Sequence, residues 1–261
     1  MAGQGTAQYI EEGKYKYIPY NRLFTETESI HIPGIGKMEA YANRDSLSYI
    51  KKYGLEDLET VLRATLRWPS YCKAWNSFVQ LGWTDDSYIL HDLKDLTYKD
   101  LLVSFLPNQL QGSIKQQLAT FLKISISSTT MKQLEWLEIF SNKKINLKEA
   151  TPAQVLQHLL EEKWALKKSD KDLVAMIHEF KYILKGKKKT LISYMSVIGD
   201  DNIHTAMAKT VGLPLAIIVK MILLDKIKQK GVQIPLKKGI YNPVLKELEN
   251  LGITFKEKLL N

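Results

Sequence analysis

Apolar positions recur at two different spacings along the chain, and the alternation between them predicts three stretches. The first mixes strand and helix signals. Ser29–Ile32 runs into a turn, Pro33-Gly34-Ile35-Gly36, and continues as Lys37–Ala42. Ser46–Tyr53 has helical spacing and closes on Gly54. Thr60–Trp68 alternates and stops at Pro69, which predicts a strand, and Tyr71–Leu81 reads as a helix ended by Gly82.

The second stretch, residues 85–168, changes character. Apolar residues fall near helical spacing over 97–106, 113–123, 129–140 and 151–166, and strand signals are nearly absent. Thr97 and Thr151 stand where N-caps belong, the second followed by Pro152 at the first helical position. In the third stretch, Asp172–Leu184 and Lys189–Ile198 alternate on either side of a lysine-glycine tip, the pattern of a hairpin. Thr205–Lys228 predicts a long, mostly apolar helix kinked at Pro214, and Asn242–Asn250 a last helix ended by Gly252. The order predicts an α+β fold: a mixed α/β domain from 1–84 and 169–261, interrupted by an all-helical insert over 85–168.

Composition narrows the class. Hydrophobic content of 45% with 25% charged residues is ordinary for a globular protein. A single cysteine, Cys72, excludes an internal disulfide and a cysteine metal site, and favours a reducing cytosol. The N-terminal residues lack a signal-peptide pattern. The longest apolar run, Val211–Leu224, is 14 residues with Pro214 and Lys220 inside it, whereas a bilayer span needs about 20, so a soluble, cytoplasmic protein is expected.

Net charge is +9, which raises nucleic acid as a partner. Only four of the 37 basic residues are arginine, however, and the lysines are scattered, as on a solvated surface. The arginines are the informative residues. A guanidinium binds a carboxylate or phosphate with two parallel hydrogen bonds, which an ammonium cannot do. Arg22, Arg44, Arg63 and Arg67 all lie in the first 67 residues.

On a strand, Arg63, Thr65 and Arg67 share one face, the two arginines about 13 Å apart at 3.3 Å per residue. That face suits an extended polyanion; the other reading is a solvated face whose arginines pair with nearby acids. Asn43 and Arg44 fall between a strand and a helix, where polar side chains and free backbone amides converge. Asp45 or Ser46 reads as the cap of that helix. The five histidines lack metal-ligand spacing, no P-loop or nucleophile elbow occurs, and Gly34-Ile35-Gly36 lacks the third glycine of a dinucleotide fingerprint. Cys72 reads as a small core residue.

The segments Glu39-Ala40-Tyr41-Ala42-Asn43-Arg44-Asp45-Ser46, Arg63-Ala64-Thr65-Leu66-Arg67-Trp68-Pro69 and Ala206-Met207-Ala208-Lys209-Thr210-Val211-Gly212-Leu213-Pro214 resemble the saccharopine dehydrogenase family, glutamate-forming type, also called saccharopine reductase. The resemblance covers about residues 15–83 and 170–255; Ala64, Trp68 and Ser70 depart from the family's usual Gly, Tyr and Gly, and 200–204 also differs. It implies the C-terminal, substrate-binding and dimerising region with its helical insert, normally preceded by a nucleotide-binding Rossmann domain. The implied reaction is NAD- or NADP-dependent interconversion of saccharopine with glutamate and 2-aminoadipate 6-semialdehyde.

Carried over to this chain, Arg44, Arg63 and Arg67 would take carboxylates, and Asn43 and Thr65 would donate neutral hydrogen bonds. No catalytic, cofactor or metal residue is expected in these residues, so they would bind substrate, as a homodimer, without turnover. Two other readings stay open: a related reductase acting on carboxynorspermidine, and a non-catalytic oligomerisation module of the same fold.

Overall fold

The computed structural model describes residues 2–260. The fold is α+β, and its strands are distributed over three small sheets. Two compact units form among the described residues, one from 2–31 and 36–165, the other from 32–35 and 166–260.

The first unit opens on a hairpin, β1 (Ala7–Glu11) and β2 (Lys14–Ile18), paired antiparallel. Its two-residue loop has Glu12 at φ 49° and Gly13 at φ 74°. Two positive φ angles in succession match the right-handed twist of the flanking strands. A single-turn helix, α1 (Tyr20–Leu23), leads to β3 (Thr27–Ile32) and β4 (Gly36–Ala42). After α2 (Leu47–Tyr53), β5 (Ala64–Arg67) pairs antiparallel with β4, Glu39 opposite Arg67 and Tyr41 opposite Thr65.

Helix α3 (Tyr71–Leu81) carries the main aromatic core. Trp75 lies stacked on Tyr71 at 5.7 Å, and Phe78 on Trp83 at 5.9 Å. Four helices follow, α4 (Tyr98–Ser104), α5 (Ile114–Leu122), α6 (Thr129–Trp136) and α7 (Pro152–Trp164), with no named strand among them. Their starts are set by side chains that satisfy otherwise orphaned amides. Thr97 with Asp100, Ser113 with Gln116 and Thr151 with Gln154 form reciprocal capping boxes, and Ser128 caps α6. Leu102, Leu118, Met131, Leu134, Val155 and Leu159 are fully buried in the core that these helices share with α3.

In the second unit β6 (Leu173–Leu184) and β7 (Lys187–Ile198) pair along their whole length. Lys185 at φ 50° and Gly186 at φ 75° close this hairpin with the same turn geometry as the first. A third strand, β8 (Lys256–Leu260), pairs antiparallel with the middle of β7, Thr190–Tyr194. Helices α8 (Ala206–Leu223) and α9 (Lys238–Asn250) contribute Ile217, Met221, Ile240 and Val244 to a second core with Met195 and Val197.

The start of α8 is tied down by Asp172, whose carboxylate accepts from the Ala206 amide at 2.6 Å and the Met207 amide at 2.9 Å. At 18 residues α8 has the length and composition of a minimal membrane span, yet Pro214, Lys209 and Lys220 interrupt it and its other face enters the unit's core. Met207, Val211, Leu215, Val219, Ile222 and Leu223 are exposed along it.

Candidate functional site

All five arginine-motif residues lie in the first unit, and the backbone around them is braced by β1. Gln8 donates its amide to the Arg44 carbonyl at 2.9 Å and accepts from the Ser46 amide at 2.9 Å. Ile10 and Val61 exchange both backbone hydrogen bonds. Beyond the end of β4, the Asn43 amide donates to the Arg63 carbonyl at 2.7 Å. The two arginine segments are thereby fastened side by side.

Asn43, Arg44 and Arg63 gather at the junction of β4 and α2. Asn43 turns its carbonyl oxygen back to accept from the Arg44 amide at 2.8 Å, which leaves the amide nitrogen of its side chain for other partners. Arg44 is exposed, its chain passing beside Gly5, where an added Cβ would lie 3.8 Å from the arginine Cδ. Arg63 is half-buried. Its guanidinium carbon sits 3.8 Å from the centroid of the Tyr49 ring, and Nη1 donates to the Asp45 carbonyl at 3.1 Å. Cation–π contact and one fixed hydrogen bond hold the fork in place.

Of the two residues expected to cap α2, Asp45 supplies the side-chain acceptor, and Ser46, at the N-cap position, turns its hydroxyl to another segment. Asp45 Oδ1 accepts from the Ser48 amide at 3.0 Å, while the Ser46 hydroxyl accepts from the Arg63 amide at 2.9 Å. Hydrogen bonds from Ser48 lower the Asp45 pKa, with a smaller contribution from the Arg63 charge.

Thr65 and Arg67 lie farther along, on β5. Thr65 hydrogen-bonds the Tyr41 side chain opposite it. Arg67 donates to the Leu66 carbonyl at 3.0 Å, its guanidinium carbon 5.2 Å from the Tyr71 ring centroid. Burial raises both tyrosines against the pull of the Arg67 charge, Tyr71 to about 12. The buried Cys72 thiol is likewise pushed up to about 12, chiefly by burial and then by the neighbouring Glu39 carboxylate. It is therefore protonated at neutral pH and has no nucleophilic character.

Electrostatics separate these arginines from the fourth. Arg22 is paired with Glu26 at 2.6 Å. Among the described residues, Arg44, Arg63 and Arg67 make no salt bridge to a carboxylate. Arg63 and Arg67 are held by carbonyls and tyrosine rings and Arg44 is exposed, which leaves the charge of all three available to an anion.

Tyr49, Tyr41, Tyr71 and Gln8 support this arrangement, and no binding role for any of them is read from the sequence. Tyr49 could have been found there, lying one helical turn beyond the cap of α2. Among the described residues no three His, Cys, Asp or Glu side chains converge as metal ligands.

A family model described as the saccharopine dehydrogenase C-terminal domain matches residues 1–253. The mitochondrial alpha-aminoadipic semialdehyde synthase of Rattus norvegicus is 33% identical over 260 residues, covering 95% of this chain and 27% of the relative. Saccharopine dehydrogenase (NADP(+), L-glutamate-forming) of Pyricularia oryzae is 31% identical over 272 residues, covering 100% of this chain and 60% of the relative. The solved apo structure of histidine-tagged saccharopine dehydrogenase (L-Glu forming) from Saccharomyces cerevisiae superposes with a TM-score of 0.84 at 25% identity, over 98% of this chain and 59% of that one. The chain thus spans about a quarter of the synthase and three-fifths of the fungal dehydrogenases.

Proposed function

The chain belongs to the saccharopine dehydrogenase C-terminal domain family, and we propose that it holds the carboxylates of saccharopine for an NAD(P)-dependent saccharopine dehydrogenase of lysine metabolism. The observation that carries this reading is the trio of arginines without carboxylate partners beside the β4–β5 pair. Saccharopine has three carboxylates, and a forked guanidinium is the side chain best matched to each. Arg44 and Arg63 would take carboxylate at the start of α2 and Arg67 would take it on β5. Asn43, through its side-chain amide, and Thr65, through its hydroxyl, would add neutral hydrogen bonds.

The full reaction interconverts saccharopine with glutamate and 2-aminoadipate 6-semialdehyde, the nicotinamide accepting or returning hydride. The residues of this chain do not fit that cofactor. In a dinucleotide fingerprint the glycines permit close approach of backbone and helix. Gly34-Ile35-Gly36 lacks the third glycine and joins β3 to β4, so it opens a strand and not a helix. Hydride transfer therefore calls for nucleotide-binding residues outside these, and we expect the 261-residue chain to bind saccharopine without oxidising it.

The same proposal assigns 1–84 with 169–261 to substrate binding and dimerisation, and 85–168 to a helical insert. It includes a homodimer and a cytoplasmic location; nucleic acid is not among the partners, since many lysines are engaged with acids, as Lys144 with Asp95 and Lys163 with Glu138.

Calorimetric titration of the chain with saccharopine tests the reading. Binding is expected, and Arg44→Ala and Arg67→Ala are each expected to weaken it by about tenfold or more, the scale of a charge-assisted hydrogen bond. Binding that both variants leave unchanged would remove the proposal. Tighter binding of carboxynorspermidine would transfer the site to the related reductase, and an intact dimer that binds neither amine would favour the oligomerisation module.

A further inference from the structure

Charge is divided unevenly between the two units. Residues 166–260 hold 18 lysines against nine acidic residues, whereas the rest of the chain holds 19 basic residues against 19 acidic ones. The net charge of +9 therefore belongs to the second unit, and an asymmetry of this kind points to an anionic partner.

The register of the β6–β7–β8 sheet shows where that charge meets exposed apolar side chains. On one face, Met195 and Val197 enter the core with α8 and α9. Toward the turn the same face leaves that core. Phe180 stands opposite Leu191 and Leu191 opposite Leu259, an apolar row across three strands; beyond it come Tyr182 and, at the turn, Leu184 opposite Lys187. Phe180, Leu184 and Leu259 are each more than half exposed, and Ile183, on the other face of the tip, is 71% exposed. Lys185, Lys187 and Lys188 surround these residues, and among the described residues they make no salt bridge. No acidic residue occurs from Phe180 to Gly199.

Three kinds of partner carry the right charge or the right apolar surface. A nucleic acid would engage the lysines but leave Phe180, Ile183 and Leu184 against water, and the tip has no arginine. A second copy packed tip to tip would cover the apolar side chains but bring two lysine-lined turns together, which like charge opposes. A bilayer with anionic head groups meets both properties at once, apolar side chains reaching the acyl boundary while lysines stay among the head groups. The hairpin ladder runs to its last pair, Leu184 with Lys187, so those backbone groups keep their partners as the side chains enter.

We infer that the β6–β7 tip docks on an anionic lipid surface, with Phe180, Ile183 and Leu184 at the interface and Lys185, Lys187 and Lys188 against the head groups. Because Ile183 lies on the opposite face from Phe180 and Leu184, the tip enters end-on. The contact is peripheral and involves none of the arginine-site residues of the first unit.

Flotation of the 261-residue chain with vesicles tests this. Equal parts of phosphatidylcholine and phosphatidylserine are expected to carry the chain at low ionic strength, and phosphatidylcholine alone is not. Lys185→Glu, Lys187→Glu and Lys188→Glu together should lower the affinity about a hundredfold, at about fivefold per lysine. Phe180→Ser with Leu184→Ser should lower it about tenfold. The two sets change different side chains, so either supplies the evidence if the other alters the circular dichroism spectrum. Lys226→Glu, Lys230→Glu and Lys237→Glu change the same charge in the exposed loop between α8 and α9, and should lower the affinity less than about tenfold. An equal loss from that loop set would reduce the effect to the charge of the whole unit and overturn the inference. So would chain that stays with the buffer whatever the lipid, or tip variants that lose mass by light scattering without lipid, which would make the tip a contact between copies. Saccharopine affinity is expected to be unchanged in every variant, so failure here leaves the substrate reading standing.

Discussion

Arg63 is held against Tyr49 rather than against an acid, and that choice governs how the site should respond to substitution. The ring orients the guanidinium without neutralising it. Tyr49→Leu is expected to weaken saccharopine binding about threefold, while Tyr49→Phe, which keeps a π face, leaves it unchanged; calorimetry of the two variants checks this. Cys72 offers a pH-dependent test. Its pKa, near 8.5 in an unfolded chain, rises to about 12 in the folded one. The folded state therefore favours the thiol, and the stabilisation present below about 8.5 is lost as pH rises toward 12. A maleimide at pH 8 is expected to label Cys72 only after denaturant is added, and rapid labelling of the native chain would contradict the burial. Glu39 escaped the reading of the sequence because a charged residue within an alternating strand looks like a solvent-facing position. Its contact with Cys72 depends on α3, which packs over that face and was legible only as a separate helix.

The elements themselves were largely written in local chemistry. Thr97 and Thr151 announced α4 and α7 because a hydroxyl followed three residues later by Asp or Gln is a physical device, and both capping boxes form. Thr151→Ala removes the hydroxyl that accepts from the Gln154 amide and is expected to cost about 1 kcal/mol, measured as a fall in the urea midpoint. Gly54 and Gly82 ended their helices in the left-handed region, as their positions predicted.

The elements that were not legible depend on partners. Strand β8, Lys-Glu-Lys-Leu-Leu, is composed of helix formers and is extended because β7 offers it a ladder. The β1–β2 hairpin lies among charged residues, with only Glu12-Gly13 to mark its turn. Strand β5 is shorter than Thr60–Trp68 because Val61 leaves the β4 register to bridge Ile10. Helix α9 begins at Lys238, a turn before the expected Asn242, and carries Pro243 inside it.

For the whole molecule, two compact units with separate cores account for the broad order of strands and helices, and the helical run from α4 to α7 belongs to the first. Solvation was harder to foresee. Hydrophobic spacing identified α8 as a long helix but gave no measure of how much of it a core would cover. Three residues, Ala206, Ile217 and Met221, are buried, while Leu215 remains 66% exposed and Leu223 80%. Leu215→Lys should therefore leave the urea midpoint nearly unchanged, and, if the proposed homodimer uses this stripe, reduce the dimer fraction seen by light scattering; an undiminished dimer would place the contact elsewhere.

If the proposed homodimer forms through that uncovered stripe, its association would respond to the solvent rather than to any ligand. Attraction between apolar faces is entropic near room temperature, weakens on cooling and strengthens with excluded salts such as sulfate. Contacts between charged groups weaken as ionic strength rises. Apparent mass should accordingly fall in the cold and climb as ammonium sulfate is added, so a preparation handled on ice and one assayed warm would contain different populations of the same protein.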